Sequence, residues 1–249
     1  MPRFFVTVSQ IGIKDDGTKT VMITGDDAQH ITRSLRMKAG DSLTVCDMAS
    51  VEYDCLIASV GESVICEVIN ETPSFSEPPY KAVLYQALIK GDKFDTVVQK
   101  AVECGVSVIV PVLTDRCVVR LTKAECAKKC ARWQRIADEA AKQCGRGVLV
   151  KVEGMMTFKE ALADAARADI SLFCYEGEEE NSLKAALTRS GETPATVSLI
   201  IGPEGGFSVS EAEAARDSGL VCVGLGKRIL RTETASSFVL SCLSYQFEL

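Results

Sequence analysis

The chain has 249 residues, 47% of them hydrophobic and 25% charged, and its formal net charge is −6. That composition is ordinary for a soluble globular protein and long enough for one large domain or two smaller ones. No run approaches the roughly 20 apolar residues of a membrane span, and Met1-Pro2-Arg3-Phe4-Phe5 lacks the apolar core and cleavage site of a signal peptide; a cytoplasmic protein with no membrane partner is expected.

Short β-like runs dominate the start of the chain, at residues 4–8, 20–23, 42–46, 54–60 and 63–69. One helix is predicted from about residue 26 to 35. Short strands joined by turns point to a small, mostly-β barrel. Three of the seven prolines fall in Thr72-Pro73-Ser74-Phe75-Ser76-Glu77-Pro78-Pro79, and proline disfavours both helix and ladder. A boundary is therefore expected there, with domains at 1–72 and 80–249 and a linker at 73–79. Beyond it strands and helices alternate. Strands are predicted at 82–88, 106–112, 170–174, 197–201 and 221–223, and helices at 94–103, 122–143, 210–217 and 232–247. That order implies an α/β domain with a parallel sheet, whose ligands bind beyond the carboxyl ends of the strands.

Eleven cysteines are many, but no Cys-x-x-Cys pair occurs. Cys126 and Cys130 would lie one turn apart on a helix. The single histidine, His30, is distant in sequence, so no metal is expected. Cys66, Cys104, Cys174 and Cys222 sit in apolar runs, where a thiol acts as a small core residue. The acidic net charge argues against generic nucleic-acid binding, but residues 1–72 hold six Lys/Arg against eleven Asp/Glu, and residues 116–151 hold ten against three. A local basic face can still take phosphates; a solvated helix face accounts for the same charges.

Two loops carry the chemistry. In Leu199-Ile200-Ile201-Gly202-Pro203-Glu204-Gly205-Gly206-Phe207 an apolar strand runs into a glycine-rich turn stiffened by proline. Ser208 and Glu211 have the spacing of a capping box, so a helix should follow. In Leu225-Gly226-Lys227-Arg228-Ile229-Leu230-Arg231-Thr232-Glu233-Thr234-Ala235 two apolar residues stand in a loop. They would be wasted there unless they covered something flat. Thr232 is the expected N-cap of the closing helix, and Arg231 precedes it. The pocket would thus offer amides, an apolar slot, one guanidinium, and the carboxylates Glu204 and Glu233. No phosphate-loop, zinc-protease or nucleophile-elbow motif is present, and one histidine makes a Ser-His-Asp triad improbable. His30 reads as a surface or packing residue, or an RNA contact.

These two loops together resemble those of the RsmE-type methyltransferases. That family belongs to the knotted (SPOUT) class and methylates N3 of a uridine in small-subunit ribosomal RNA. The resemblance spans the chain. His30-x-x-x-Ser34-Leu35-Arg36-x-x-x-Gly40-Asp41 is similar to a segment of the family's PUA-like RNA-binding domain, and Trp133-x-x-Ile136-x-x-Glu139-Ala140-x-x-Gln143-x-x-Arg146 to its mid-domain helix. Cys144-Gly145 departs from it, since a small polar residue is expected there.

The resemblance implies a trefoil knot at the second loop, against general topology rules. It also implies a homodimer whose pockets are finished by the partner chain, and S-adenosylmethionine as cofactor. The donor would lie between Cys174-Tyr175-Glu176, the stretch Ile201, Gly202, Pro203, Glu204, Gly205 and Gly206, and the stretch from Leu225 and Gly226 through Ile229, Leu230, Arg231 and Thr232. Ile229 and Leu230 would pack on the purine. Arg231 would stabilise the developing uracil imide anion. Glu204 or Glu233 would accept the proton, with helix or salt-bridge duty favoured for Glu233. RNA, as ribosomal RNA or the small ribosomal subunit, would meet Arg3, His30, Arg33, Arg36 and Lys38 in the first domain. Arg116, Arg120, Arg132, Arg135 and Arg146 would extend that set. The rival readings are a nucleotide-phosphate enzyme and a non-catalytic RNA-binding or ribosome-assembly module.

Overall fold

A computed structural model describes residues 1–49, 51–189 and 191–249. Two compact units emerge. The first comprises Met1–Glu77 and Ala141–Leu149, the second Pro78–Ala140 and Val150–Leu249.

The first unit is a six-stranded sheet. Its strands are β1 (Arg3–Phe5), β2 (Ile11–Ile13), β3 (Lys19–Ile23), β4 (Ser42–Cys46), β5 (Val51–Val60) and β6 (Val64–Pro73), in the order β1-β4-β5-β6-β3-β2. Only β1 and β4 run parallel. Inward residues alternate along the strands, as Tyr53, Cys55 and Ile57 do in β5 and Leu43 and Val45 in β4, and they meet Phe4, Val21, Ile31 and Val64 in one core. Helix α1 (Gly25–Gln29) continues into a wider π turn, His30–Ser34, so the single predicted helix is two conformations end to end. The predicted first strand is cut short at Phe5 because Thr7 and Gln10 cap a 3-10 turn at Val8–Gln10. Strand β2 has no sequence forecast; it is three residues long and has Gly12 at its centre.

Residues Ala141–Leu149 are tied into this unit by charge. Arg146 is only 4% exposed and holds Glu77 through Nε and Nη2, at 2.9 and 2.6 Å. Lys142 reaches Asp27 at 2.8 Å and lies 5.5 Å from the centre of the Phe4 ring. Arg3 pairs with Glu52 at 2.9 Å.

The second unit is α/β. In chain order it contains β7 (Lys81–Ala87), α2 (Lys93–Glu103), β8 (Val108–Leu113), α3 (Lys123–Cys144, its last turn in the first unit), β9 (Lys151–Val152), β10 (Met156–Thr157), α4 (Phe158–Ala165), β11 (Ile170–Cys174), α5 (Leu183–Thr188), β12 (Thr196–Ile201), α6 (Val209–Asp217), β13 (Val221–Val223) and α7 (Thr232–Phe247). The strands are all parallel, in the order β10-β8-β7-β12-β11-β13, with β9 also on β8. Being covered on both faces, they are near-continuous apolar runs.

Register sets the two faces. Val110, Tyr85, Ile200 and Phe173 align across the sheet and share a core with Leu162 of α4 and Ala212 of α6. Their neighbours Ile109, Leu84, Leu199 and Leu172 form the next row, wholly buried on the opposite face. Helix α7 packs on α2 and on β7 and β12. Gln86, Ile201, Cys174 and Val223 form a further row at the carboxyl ends of the four strands. Both special loops leave the sheet from this row. No helix among the described residues is long and apolar enough to cross a membrane.

Candidate active site

The first loop links Ile201 to α6. Gly206 has φ of +64°, a left-handed conformation that favours glycine, and a Cβ there would lie 3.2 Å from Glu176 Oε1. The Gly206 amide donates to the Pro203 carbonyl at 3.0 Å and closes the turn. Phe207 is buried, with its ring 4.3 Å from that of Phe173. The forecast capping box is present: Ser208 Oγ accepts from the Glu211 amide and Glu211 Oε2 from the Ser208 amide, at 3.2 and 2.8 Å. Glu211 is itself buried because Oε1 takes the Asp115 amide at 2.9 Å. Arg116 Nη1 donates to the Gly205 carbonyl at 2.9 Å.

The second loop leaves β13 through Gly224, where a Cβ would run into the Glu178 carbonyl oxygen. The Gly224 amide donates to Asn181 and its carbonyl accepts from Leu183, at 2.9 and 3.2 Å, while the Tyr175 amide donates to Val223 at 3.1 Å. Three stretches of main chain are thereby laced together. They enclose a cavity of about 780 Å³ that also reaches Lys93, within the range of small-molecule sites.

Thr232 corrects a sequence expectation. The N-cap of α7 is Arg231, in extended conformation and without a side-chain cap bond. Thr232 is the first helical residue. Its Oγ1 donates to the Gly202 carbonyl at 2.6 Å and accepts from Gln86 Nε2 at 2.9 Å. The hydroxyl is spent on joining the two loops, so none remains for the helix end. Gln86 is wholly buried beneath them.

The charged groups are unevenly satisfied. Lys93 Nζ lies 3.8 Å from Glu204 and 4.0 Å from Glu233. Glu204 Oε1 accepts the Lys90 amide at 3.0 Å. Burial alone would raise the Glu204 carboxyl, but the amides of Lys90 and Glu204 and the charges of Lys93 and Lys90 outweigh it and hold the group below the usual carboxylate range. Glu233 Oε2 is buried with no hydrogen-bond partner. Burial, with a contribution from Cys222, pushes the Cys174 thiol up to about 12, so it is protonated at neutral pH and unsuited to nucleophilic attack. Arg231 is exposed and forms no ion pair among the described residues. Ile229 is 86% exposed at the cavity wall and Leu230 half-buried.

The residues forecast for the cofactor, Gly205 excepted, all line this cavity, among them Cys174, Tyr175, Glu176, Ile201, Gly202 and Pro203. The forecast omitted Lys93, Gly224 and Gln86. Gln86 did carry a signal, since a polar residue in an apolar strand must find partners. The arginines are more scattered. His30, Arg33, Arg36 and Lys38 are exposed on the turn after α1 in the first unit, with Arg36 at φ +53°. Arg3 and Arg146 are committed to Glu52 and Glu77, and the buried Arg146 has no face left for a phosphate. In the second unit Arg120 donates to the Asp115 carbonyl, Arg132 pairs with Asp95, and Arg135 is exposed. Among the described residues no group of three or more His, Cys, Asp or Glu is placed to hold a metal ion.

A crevice walled by main chain at the carboxyl ends of a parallel α/β sheet is where proteins of this class bind a small-molecule ligand. Residues 76–244 match the family described as RNA methyltransferase domain, and residues 23–69 that described as RNA methyltransferase PUA domain. The ribosomal RNA small subunit methyltransferase E of Bacillus subtilis is 35% identical over 100% of this chain and 98% of its own. That of Mesomycoplasma hyopneumoniae is 31% identical over 97% and 98%. The crystal structure of the corresponding enzyme from Neisseria gonorrhoeae, bound to S-adenosyl methionine, superposes with a TM-score of 0.84 at 29% identity, covering 98% of this chain and 97% of that one. The chain belongs to the ribosomal RNA small subunit methyltransferase E family.

Proposed function

We propose that the chain is an S-adenosylmethionine-dependent methyltransferase of small-subunit ribosomal RNA, acting at N3 of a uridine. The supporting observation is the crevice, walled by main chain and cross-tied by Thr232. Its polar wall fits the donor. Glu233 Oε2 is a buried acceptor lacking a donor, and the ligand carries ammonium, hydroxyl and amino groups that can supply one. The exposed Ile229 and the half-buried Leu230 offer an apolar lid for a purine.

When bound, the cofactor supplies an activated methyl group on a sulfonium, so the protein's task is orientation and electrostatics. Main-chain groups of the 202–206 and 224–231 loops hold the ligand without side-chain entropy. Arg231, unpaired at the mouth, is placed to stabilise negative charge on a uracil imide. Of the two carboxylates, Glu233 turns its open oxygen to the cofactor, while Glu204, which gives only Oε1 to Lys90, is left to accept the proton. The exposed set His30, Arg33, Arg36 and Lys38 contacts RNA phosphates from the first unit, and Arg116, Arg120 and Arg135 from the second. A cytoplasmic homodimer and a trefoil knot at the 225–231 loop complete this reading.

The test has two parts. Calorimetry should show binding of S-adenosylhomocysteine and none of ATP or NAD. Single-turnover methylation of small-subunit RNA or particles, mapped by mass, should place the methyl on a uridine N3, and Arg231→Ala should slow it. Binding of ATP in place of S-adenosylhomocysteine would overturn the reading.

A further inference from the structure

We propose that Glu233 and Glu204, sharing the one ammonium of Lys93, form a singly negative trio that receives a cationic group of the methyl donor. The trio thereby holds the charged donor more tightly than its neutral-sulfur product. This inference rests on the reading of the crevice as an S-adenosylmethionine site.

Three elements bring the trio together: the first turn of α2 supplies Lys93, the first turn of α7 Glu233, and the loop after β12 Glu204. The Lys93 ammonium lies 3.8 Å from one carboxylate and 4.0 Å from the other, distances of attraction rather than of a made hydrogen bond. Two negative charges against one positive leave one negative charge over. Glu204 Oε1 has an amide donor from Lys90. Glu233 Oε2 is buried with none, and such a carboxylate oxygen is stabilised by a cation set against it, through a hydrogen bond where the cation is an ammonium and by attraction alone where it is a sulfonium. Lys227, Arg228 and Arg231 also line the cavity, but all three are exposed to water, where their fields are screened. The cavity wall therefore favours positive charge at Glu233. The methyl donor carries a sulfonium, an ammonium and a carboxylate, and transfer of the methyl group removes only the sulfonium's charge. A trio facing the sulfonium releases the product once the charge is gone.

The experiment is calorimetry on the full chain with three ligands: S-adenosylmethionine (both cations), S-adenosylhomocysteine (ammonium only) and methylthioadenosine (neither). Glu233→Gln should weaken S-adenosylmethionine about tenfold, the scale of one charge pair in a partly solvated crevice, and leave methylthioadenosine unchanged. Lys93→Met should act in the opposite sense, tightening S-adenosylmethionine several-fold with methylthioadenosine again unmoved. A loss in Glu233→Gln shared by S-adenosylmethionine and S-adenosylhomocysteine, with methylthioadenosine spared, assigns the trio to the ammonium and removes the product-release argument. Equal changes for all three ligands, or none, overturn the trio as a charge site. Failure of the unsubstituted protein to bind any of the three overturns the cofactor reading itself, a separate result.

Discussion

Thr232→Val replaces a hydroxyl by a methyl of the same shape and opens no cavity. It removes two hydrogen bonds, to the Gly202 carbonyl and from Gln86, at 2.6 and 2.9 Å. Thr232 is 6% exposed and Gln86 is not exposed at all, so the amide of Gln86 keeps only the Ala87 carbonyl, at 3.2 Å. Two lost bonds at about 1 kcal/mol each, plus a partly unsatisfied buried donor, amount to about 2–4 kcal/mol. For a chain of this length that lowers Tm by roughly 4–16 °C. The larger effect should fall on the ligand. Without the tie, the loops after β12 and β13 are no longer held in one arrangement, and ordering them is charged against binding. S-adenosylhomocysteine affinity should drop at least tenfold in calorimetry, while Thr232→Ser, which keeps the hydroxyl, stays near the parent. Gln86→Leu combined with Thr232→Val should cost less than the two single changes together, since both break one network. Unchanged affinity and Tm in Thr232→Val would show that the crevice does not depend on this relay.

Gly224→Ala sets a Cβ against the Glu178 carbonyl oxygen, and main chain must move; a loss of about 1–3 kcal/mol in thermal unfolding is expected, together with loss of S-adenosylhomocysteine binding. Glu52→Gln tests a pH effect. The hydrogen bond from Arg3, helped by Ser74 and partly offset by burial, lowers the Glu52 carboxyl. A lowered carboxyl stabilises above its unfolded pKa of about 4.3 and loses that stabilisation as pH falls through the folded value. The substituted protein should therefore melt lower than the parent at pH 7, by about 1 kcal/mol, with the gap closing in scans taken below pH 4. A gap that widens in acid contradicts the sign. Arg33→Glu or Arg36→Glu should weaken RNA binding and flatten its salt dependence with Tm unmoved; RNA affinity equal to the parent's would remove that face from the RNA path.

What could be read ahead follows from how local each cause is. The parallel strands were legible because burial on both faces makes them continuous apolar runs, as at Val197, Leu199, Ile200 and Ile201. The start of α6 was legible because Ser208 and Glu211 satisfy each other within one turn. Helices α4 and α5 went unseen, being eight and six residues long, too short for a period to stand out. Thr232 shows the limit. Its type and place forecast a cap, but the competing acceptor, the Gly202 carbonyl, lies 30 residues back in the chain. The same holds for Arg146, which a charge count assigns to RNA; its partner Glu77 lies 69 residues away.

The pocket itself escaped that limit because its walls are main chain. Gly206, at φ +64°, records a demand on the backbone at that very residue and so survives in the sequence, whereas Gly224, constrained by the Glu178 carbonyl far back in the chain, was missed. The electrostatics carry no such record. Lys93 belongs to the site because α2 packs on α7, and nothing near Lys93 in the chain announces two carboxylates from the far end of it. A crevice of this kind can therefore keep a readable shape while its charge is tuned from elsewhere in the fold. This is why exchanging Lys93 should alter which form of the ligand is preferred and leave the loops as they are.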